Sequence, residues 1–247
     1  MTSIDLNADL GEGGEFDVEL MGIVSSCNIA CGGHAGDARS MSATVDLALA
    51  NKVAIGAHPA YPDRIGFGRR SRFLSGQELN KSIIDQISRL DAIVRAAGRV
   101  LTHIKPHGAL YNDAAGDASL ATALVSVARE VCENAAIVGP PQSQLEVAAH
   151  ASNMMFIAEA FVDRAYLPDG SLVARSEPNA VHQDINTITT QAITLATQGV
   201  LTSESGELVE VQASTLCIHG DTDNAAQIAL AVRDALLASG VNIRAAN

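Results

Sequence analysis

Short apolar runs alternate with longer amphipathic patterns along the whole chain. Most of the runs lack an alternation of apolar and polar residues, which is typical of strands that are buried on both faces of a parallel sheet. They predict seven strands, at residues 3–8, 27–31, 53–57, 99–104, 135–138, 154–158 and 214–218. Strands that alternate with helices on this scale form βαβ units.

Between these runs, apolar side chains recur at helical spacing. Ser75 and Glu78 have the spacing of a capping box and precede the longest stripe. The stripes consist of Met41, Val45, Ala48 and Leu49; Leu79, Ile83, Ile87, Leu90 and Val94; Leu120, Leu124, Val127 and Val131; Ile185, Ile188, Ala192 and Leu195; and Ile228, Val232 and Leu236. Residues 17–25 and 142–151 give weaker helical patterns. We therefore predict a single α/β domain over residues 1–247, a seven-stranded, distorted TIM-like (β/α) barrel.

Polar and ionisable side chains follow six of the seven predicted strands. They are Asn7, Asp9 and Glu12; Asn28, His34 and Asp37; His58, Asp63, Arg64, Arg69 and Arg70; Lys105, His107, Tyr111 and Asn112; Glu159, Asp163 and Arg164; and His219 and Asp221. The strand ends of a barrel meet at one rim, whereas an open doubly wound sheet concentrates its site at one switch point. The spread over six strands favours the barrel, with a site at its rim.

Lys105 is the most informative of these residues because it interrupts an apolar strand. Of the other two lysines, Lys52 follows a helical pattern and Lys81 lies within one. A buried ammonium group needs a charged partner, or its pKa falls, so we expect Lys105 to be functional. His103 lies on the same face, two residues earlier and deeper than the rim, and we interpret it as structural.

The composition argues against a protein that binds nucleic acid regardless of sequence. The formal charge is −12, from 16 basic and 28 acidic residues, and 3% of the residues are aromatic, with no Trp. A protein that binds nucleic acid regardless of sequence would carry a basic surplus and stacking aromatics. Seven of the basic residues nevertheless lie in or beside three of the segments that follow strands. The rim therefore mixes carboxylates with local positive charge, which suits a small acid and a phosphate.

The ends and the cysteines bear on location. The N-terminus has neither the basic nor the apolar region of a signal peptide, and no run of 18 uncharged apolar residues occurs. The four cysteines form no C-x-x-C pair and fit a reducing compartment. We expect a cytoplasmic protein that acts on a small molecule, without a membrane or nucleic-acid partner.

Standard nucleotide-binding and nucleophile motifs are absent, since the sequence has no G-x-x-x-x-G-K-[ST], G-x-G-x-x-G or G-x-S-x-G. The carboxylates, histidines and lysine instead indicate acid–base hydrolysis of a polar carbonyl compound. Lys105 would stabilise a developing oxyanion or a phosphate. Alternatively, Asp9, His34 and His58 could hold one divalent metal ion.

Seven blocks of the sequence, in order, resemble the LamB/YcsF family, the group of 5-oxoprolinase A subunits. They are DLNADLGE at 5–12, NIACGGHAGD at 28–37, GAHPAYPD at 56–63, GFGRR at 66–70, KPHGALYN at 105–112, EAFVDRAY at 159–166 and HGDT at 219–222. One block alone would be a weak signal, but together they extend from the first strand to the last helix.

The resemblance implies a barrel of the glycoside hydrolase/deacetylase type. It also implies ATP-dependent opening of 5-oxo-L-proline to L-glutamate, carried out with partner subunits B and C. ATP is then a cosubstrate. A divalent metal ion is also possible, either Mg²⁺ bound with ATP or an ion held in the site. The predicted catalytic residues are Asp9, Lys105, His107, Glu159 and Asp221. The predicted substrate- or ATP-binding residues are Asn7, Asn28, His34, His58, Arg69, Arg70, Asn112, Arg164 and His219.

Two other functions fit the same residues. One is a metal-dependent deacetylase or amidohydrolase that acts alone, because barrels of this shape also carry out that chemistry. The other is a non-catalytic regulatory subunit that binds a lactam.

Overall fold

A closed parallel barrel forms the centre of the molecule. The computed structural model describes residues 2–72, 74–220 and 224–246. Strands in this part of the chain are β1 (Ser3–Leu10), β2 (Ser26–Ala30), β3 (Ala54–His58), β4 (His103–Ile104), β5 (Ala136–Gly139), β6 (Phe156–Phe161), β7 (Val200–Thr202), β8 (Leu208–Glu210), β9 (Thr215–Ile218) and β10 (Asn242–Ile243). Strands β1 to β6 and β9 pair in parallel in that order, and β9 returns to β1. The seven predicted strands and the barrel are confirmed, and the open sheet is excluded.

Three short strands lie outside the closed ring and were not predicted. Strand β10 pairs in parallel with the start of β1, where Ser3 is opposite Asn242. Strands β7 and β8 form a separate antiparallel hairpin. Each is two or three residues long, which is too short to produce a recognisable apolar pattern.

Helices surround the barrel. In the described residues they are α1 (Asp17–Met21), α2 (Ala38–Asn51), α3 (Gly76–Ala96), α4 (Gly108–Gly116), α5 (Ala118–Val131), α6 (Gln144–Ala151), α7 (Ile185–Gln198) and α8 (Ala225–Ala238). The capping box is confirmed, since Ser75 Oγ accepts from Glu78 N and the Glu78 carboxylate accepts from Ser75 N. The sequence did not predict α4, whose buried residues are Ala109, Leu110, Tyr111 and Ala114 rather than a stripe of large aliphatic side chains. Among the helices described here, none is both long and apolar enough to cross a membrane.

The two faces of the barrel strands have opposite character. On β1, Leu6, Ala8 and Leu10 are fully buried in the main hydrophobic core, which they share with the apolar faces of the helices. The alternate residues Asp5 and Asn7 are also buried, but they hydrogen-bond to residues of other strands. Because successive side chains of a strand point to opposite faces, the outer face of the barrel is aliphatic and its interior is polar.

Asp5 organises the interior at the end of the barrel opposite the rim. Its carboxylate accepts hydrogen bonds from the hydroxyl groups of Ser25, Ser26 and Thr215, each 2.6 Å long. Burial raises the pKa of Asp5, although these three hydrogen bonds oppose the shift. One side chain thereby links β1 to the chain around β2 and to β9, at the place where the ring closes.

Replacing Asp5 with Ala should therefore destabilise the barrel. Three hydroxyl groups would lose their acceptor, and a buried group without its partner costs about 1–3 kcal/mol. We expect the free energy of unfolding in urea to fall by about 3 kcal/mol in Asp5→Ala. Asp46, which is exposed on α2, provides the control, and Asp46→Ala should change it by less than about 0.5 kcal/mol. Equal losses in the two variants would contradict this account.

Candidate active site

The carboxyl ends of the barrel strands carry a buried group of ionisable side chains. Strand β1 provides Asp9, β3 provides His58 and β6 provides Glu159. Lys105 and His107 follow β4 directly. Residues far apart in the sequence thus meet at one rim because parallel strands all end there.

The Lys105 ammonium group is the centre of this group. The residue is 2% exposed, and its Nζ lies 3.0 Å from Asp9 Oδ1 and 2.9 Å from Glu159 Oε1. Cys217 Sγ is 3.1 Å away on β9. Burial opposes the charged form, but Asp9 in particular, together with Cys217 and Glu159, holds the pKa of Lys105 well above its usual value. The buried lysine that the sequence predicts therefore has two carboxylate partners.

Asp9 connects this ion pair to a histidine. Its Oδ2 lies 3.3 Å from His58 Nε2, while Oδ1 faces Lys105. Burial alone would raise the pKa of Asp9, but the interactions with His58 and with the Lys105 ammonium group outweigh it and hold the pKa well below the usual value. Asp9 is therefore an ionised carboxylate between two basic groups.

Two asparagine side chains donate hydrogen bonds to the carboxylates of the ion pair from inside the barrel. Asn7 Nδ2 donates to Glu159 Oε1 over 3.0 Å, and Asn28 Nδ2 donates to Asp9 Oδ1 over 2.8 Å. Beneath them His103 Nε2 lies 2.8 Å from Asn28 Oδ1. Burial and the nearby Lys105 charge lower the pKa of His103 to about 3, so its ring is neutral and donates to Asn28. This contact agrees with the structural interpretation of His103.

A second group, which we call the histidine cluster, consists of Glu12, His34, His58 and His107. One ligand atom from each lies within 4.8 Å of all the others, so the cluster could hold a metal ion. Glu12 Oε1 is 2.7 Å from His34 Nε2 and 3.4 Å from His107 Nδ1. The sequence suggested Asp9, His34 and His58 as ligands. The two histidines do meet, but in company with Glu12 and His107.

Asp163 and His219 form a pair on the other side of the rim. His219 Nδ1 lies 2.9 and 2.8 Å from the two carboxylate oxygens of Asp163, and its ring stacks on Phe161. Burial would raise the pKa of Asp163, but His219 lowers it below the usual value. Sequence reasoning placed Asp163 at a strand end and gave it no role. Its position shortly after the conspicuous Glu159 was the available signal.

Other predicted site residues have different surroundings. Arg69 and Arg70 are exposed on the loop after β3, and Asn112 is exposed on α4. Arg164 is buried and donates to the carbonyl oxygens of Ala180 and Val173, so it fastens a neighbouring segment of chain. The predicted catalytic residue Asp221 lies outside the described residues.

These features define a parallel (β/α)-barrel protein with a buried ionic site at the carboxyl ends of its strands. Residues 4–247 match the LamB/YcsF family, and the chain belongs to that family. A protein from Tolumonas auensis, named as the A subunit of 5-oxoprolinase, is 43% identical over 250 residues, which cover 99% of this chain and 100% of that protein.

Further relatives agree with this assignment. The A subunit of 5-oxoprolinase from Bacillus cereus is 43% identical, with 98% of each chain covered. The crystal structure of a lactam utilization protein from Thermus thermophilus is 39% identical and has a TM-score of 0.92. The match covers 99% of this chain and 100% of that one, so the whole barrel is shared.

Removing the Lys105 charge should destabilise the site. Breaking a buried ion pair from one side costs about 3–5 kcal/mol, because the remaining charge has no partner. We expect Lys105→Met to lower the free energy of unfolding by about that amount. The double variant Lys105→Met/Glu159→Gln should regain at least about 1 kcal/mol, since one unpaired carboxylate is removed.

Urea denaturation of the purified variants measures both effects. Lys81 is exposed on α3, and Lys81→Met should change stability by less than about 0.5 kcal/mol. A double variant less stable than Lys105→Met would contradict the assignment of Glu159 as a partner of the ammonium group.

Proposed function

We propose that this chain is the A subunit of an ATP-dependent 5-oxoprolinase, a hydrolase that opens the cyclic amide 5-oxo-L-proline to L-glutamate. Relatives named as the A subunit of 5-oxoprolinase match it along its whole length, and its structural neighbour is a lactam utilization protein. The observation that carries the proposal is the Lys105 ammonium group, buried between Asp9 and Glu159. It provides fixed positive charge for the phosphate, or for the oxygen that becomes negative when water adds and the ring opens.

ATP is needed to activate the substrate, because an unactivated five-membered lactam is a poor electrophile. Transfer of the terminal phosphoryl group to the carbonyl oxygen releases ADP. Water then adds to the carbonyl carbon, and the ring C–N bond breaks with its electron pair left on nitrogen, which takes a proton. A second water molecule releases phosphate from the acyl phosphate, which yields glutamate.

The Asp163–His219 pair suits delivery of that proton. Asp163 accepts from Nδ1 of His219, which fixes the ring and leaves Nε2 available for proton transfer. Asp9, ionised and next to Lys105, suits the orientation of the attacking water. Glu159 and His107 are further acid–base candidates, and Asn7 and Asn28 hold the two carboxylates in place.

The exposed part of the rim is where we expect phosphate groups and the partner subunits to bind. Arg69 and Arg70 are accessible on the loop after β3, where they can bind phosphate oxygens of ATP or of a phosphorylated substrate. Relatives are named as one subunit of an enzyme, so we infer that subunits B and C complete this one. Mg²⁺ bound to ATP and a cytoplasmic location fit this reaction.

Reconstitution tests the proposal. The A, B and C subunits, mixed with ATP and 5-oxoproline, should release ADP and glutamate, and omission of this chain should abolish glutamate formation. Lys105→Ala should reduce glutamate formation at least about 1000-fold, because a buried electrostatic contact to the developing charge is lost. Lys81→Ala should have no effect. The proposal fails if the complete mixture forms no glutamate.

A stand-alone metal-dependent amidohydrolase is the second candidate, and the histidine cluster favours it. It requires turnover of an amide or acetyl substrate by this chain alone, without ATP, and complete loss of that turnover with a chelator. A strict requirement for ATP and for the partner subunits would exclude it.

Asp163 offers a sharper test of the proton-transfer step. In Asp163→Asn the acceptor at Nδ1 weakens and His219 can adopt the wrong tautomer, so kcat should fall at least about 100-fold while KM changes little. Asp169 is exposed in the same segment, and Asp169→Asn should leave both constants unchanged. A change confined to KM would assign Asp163 to substrate binding instead.

A further inference from the structure

Two histidines of the cluster, His58 and His107, face each other with ring nitrogens that are both acceptors in the neutral rings. His58 Nδ1 lies 2.7 Å from the carbonyl oxygen of Lys105, and His107 Nε2 lies 2.9 Å from the carbonyl oxygen of Phe67. Carbonyl oxygens only accept hydrogen bonds, so both of these ring nitrogens carry a hydrogen. In neutral rings, the opposite nitrogens, His58 Nε2 and His107 Nδ1, then have lone pairs. These two atoms face each other at 2.9 Å.

Facing lone pairs at this distance repel each other unless a positive charge lies against both. A single proton on His58 Nε2, which also lies 3.3 Å from Asp9 Oδ2, could relieve the pair, but two further ligand atoms lie at the same place. Glu12 Oε1 and His34 Nε2 converge on the same point, and all three histidines are buried. The rings of His34 and His107 are stacked, with centroids 3.6 Å apart and planes 1° from parallel. Two protonated rings would repel each other in this arrangement, whereas two neutral rings stack readily.

We propose that Glu12, His34, His58 and His107 bind one divalent transition-metal ion of the zinc class. Three imidazole nitrogens and one carboxylate oxygen suit Zn²⁺ and similar ions, whereas Mg²⁺ and Ca²⁺ prefer oxygen ligands throughout. The hydrogen bonds to the carbonyl groups of Lys105 and Phe67 are the outer contacts that fix the tautomer and the orientation of metal-binding histidines.

Formal charge supports a cation at this point. Lys105 pairs with the carboxylates of Asp9 and Glu159, and Glu12 adds a third carboxylate beside His34, so these four residues carry two formal negative charges in excess. A divalent ion balances them.

The backbone around the cluster leaves no room for it to spread. Gly68 has a φ of +64°, and a Cβ there would lie 2.9 Å from His107 Cδ2 and 3.0 Å from His34 Cβ. Glycine at this position lets the loop pack directly against the His107 ring and the His34 Cβ. The loop that carries Phe67 therefore holds two of the three histidines closely in place.

This inference deepens the proposed function, since it places a second positive centre beside Lys105 in the same rim, and its role in catalysis rests on that proposal. When bound, such an ion supplies Lewis-acid polarisation of an oxygen ligand. Binding itself does not depend on the proposed reaction and is measured without ATP, 5-oxoproline or partner subunits.

Co²⁺ binding to the isolated full-length chain provides the test. After treatment with a chelator, titration with CoCl₂ should produce the visible absorption of Co²⁺ with nitrogen ligands and saturate near one ion per chain. Zn²⁺ should abolish this absorption by displacement, and Mg²⁺ in excess should not. His107→Gln and Glu12→Gln should weaken Co²⁺ binding at least about 100-fold. His150, exposed on α6, gives the matched control His150→Gln, which should bind as the parent does.

Each other outcome counts against the site. No saturable absorption, or equal affinity in the parent and in both cluster variants, would show that a proton rather than a metal relieves the contact between His58 and His107. Circular dichroism of each variant establishes that it is folded. Co²⁺ binding without glutamate formation in the reconstituted mixture would overturn the proposed function alone, and glutamate formation without metal binding would overturn this inference alone.

Discussion

The buried Lys105 ammonium group is the interaction on which the rest of the site depends. A cation withdrawn from water is stable only beside anions, and here Asp9 and Glu159 supply them. Asp9 is 96 residues from Lys105 in the sequence, so the pair forms only when the barrel closes. A shift of one residue in the register of a strand would turn these side chains outward and bury apolar ones in their place. The ion pair therefore requires the closed barrel, and it stabilises that barrel in turn.

The two faces of the barrel strands contribute to the fold in different ways. Aliphatic packing outside the ring supplies most of the favourable burial. Inside, Asn7 donates both to Thr215 and to Glu159, so the Asp5 hydroxyl contacts and the Lys105 ion pair belong to one network. Such a network costs desolvation, yet its hydrogen bonds and ion pairs form in one arrangement of the strands and are lost in the others. It selects the register that the function needs.

Much of this could be predicted from the sequence, because strands buried on both faces and amphipathic helices leave strong patterns. Lys105 was identifiable as a lysine in an apolar strand. The full histidine cluster was harder to identify, since Glu12 and His107 belong to different segments and their contact depends on the closed ring. Arg164 is a predicted binding residue, and its sequence gives no sign that it donates to two backbone carbonyl groups. Short elements such as α4 and the β7–β8 hairpin are fixed by tertiary packing and leave no periodic signal.

Asp9 makes the ion pair and the histidine cluster a single electrostatic unit. One of its oxygens faces Lys105 and the other faces His58, while the carbonyl group of Lys105 holds the far side of the same His58 ring. A substrate that brings a carboxylate or a phosphate must approach carboxylates that outnumber the ammonium group. A divalent ion in the histidine cluster, as proposed above, would neutralise this excess, so that the positive charge of Lys105 could act on the anion. The acidic character of the chain and an anionic substrate are then compatible.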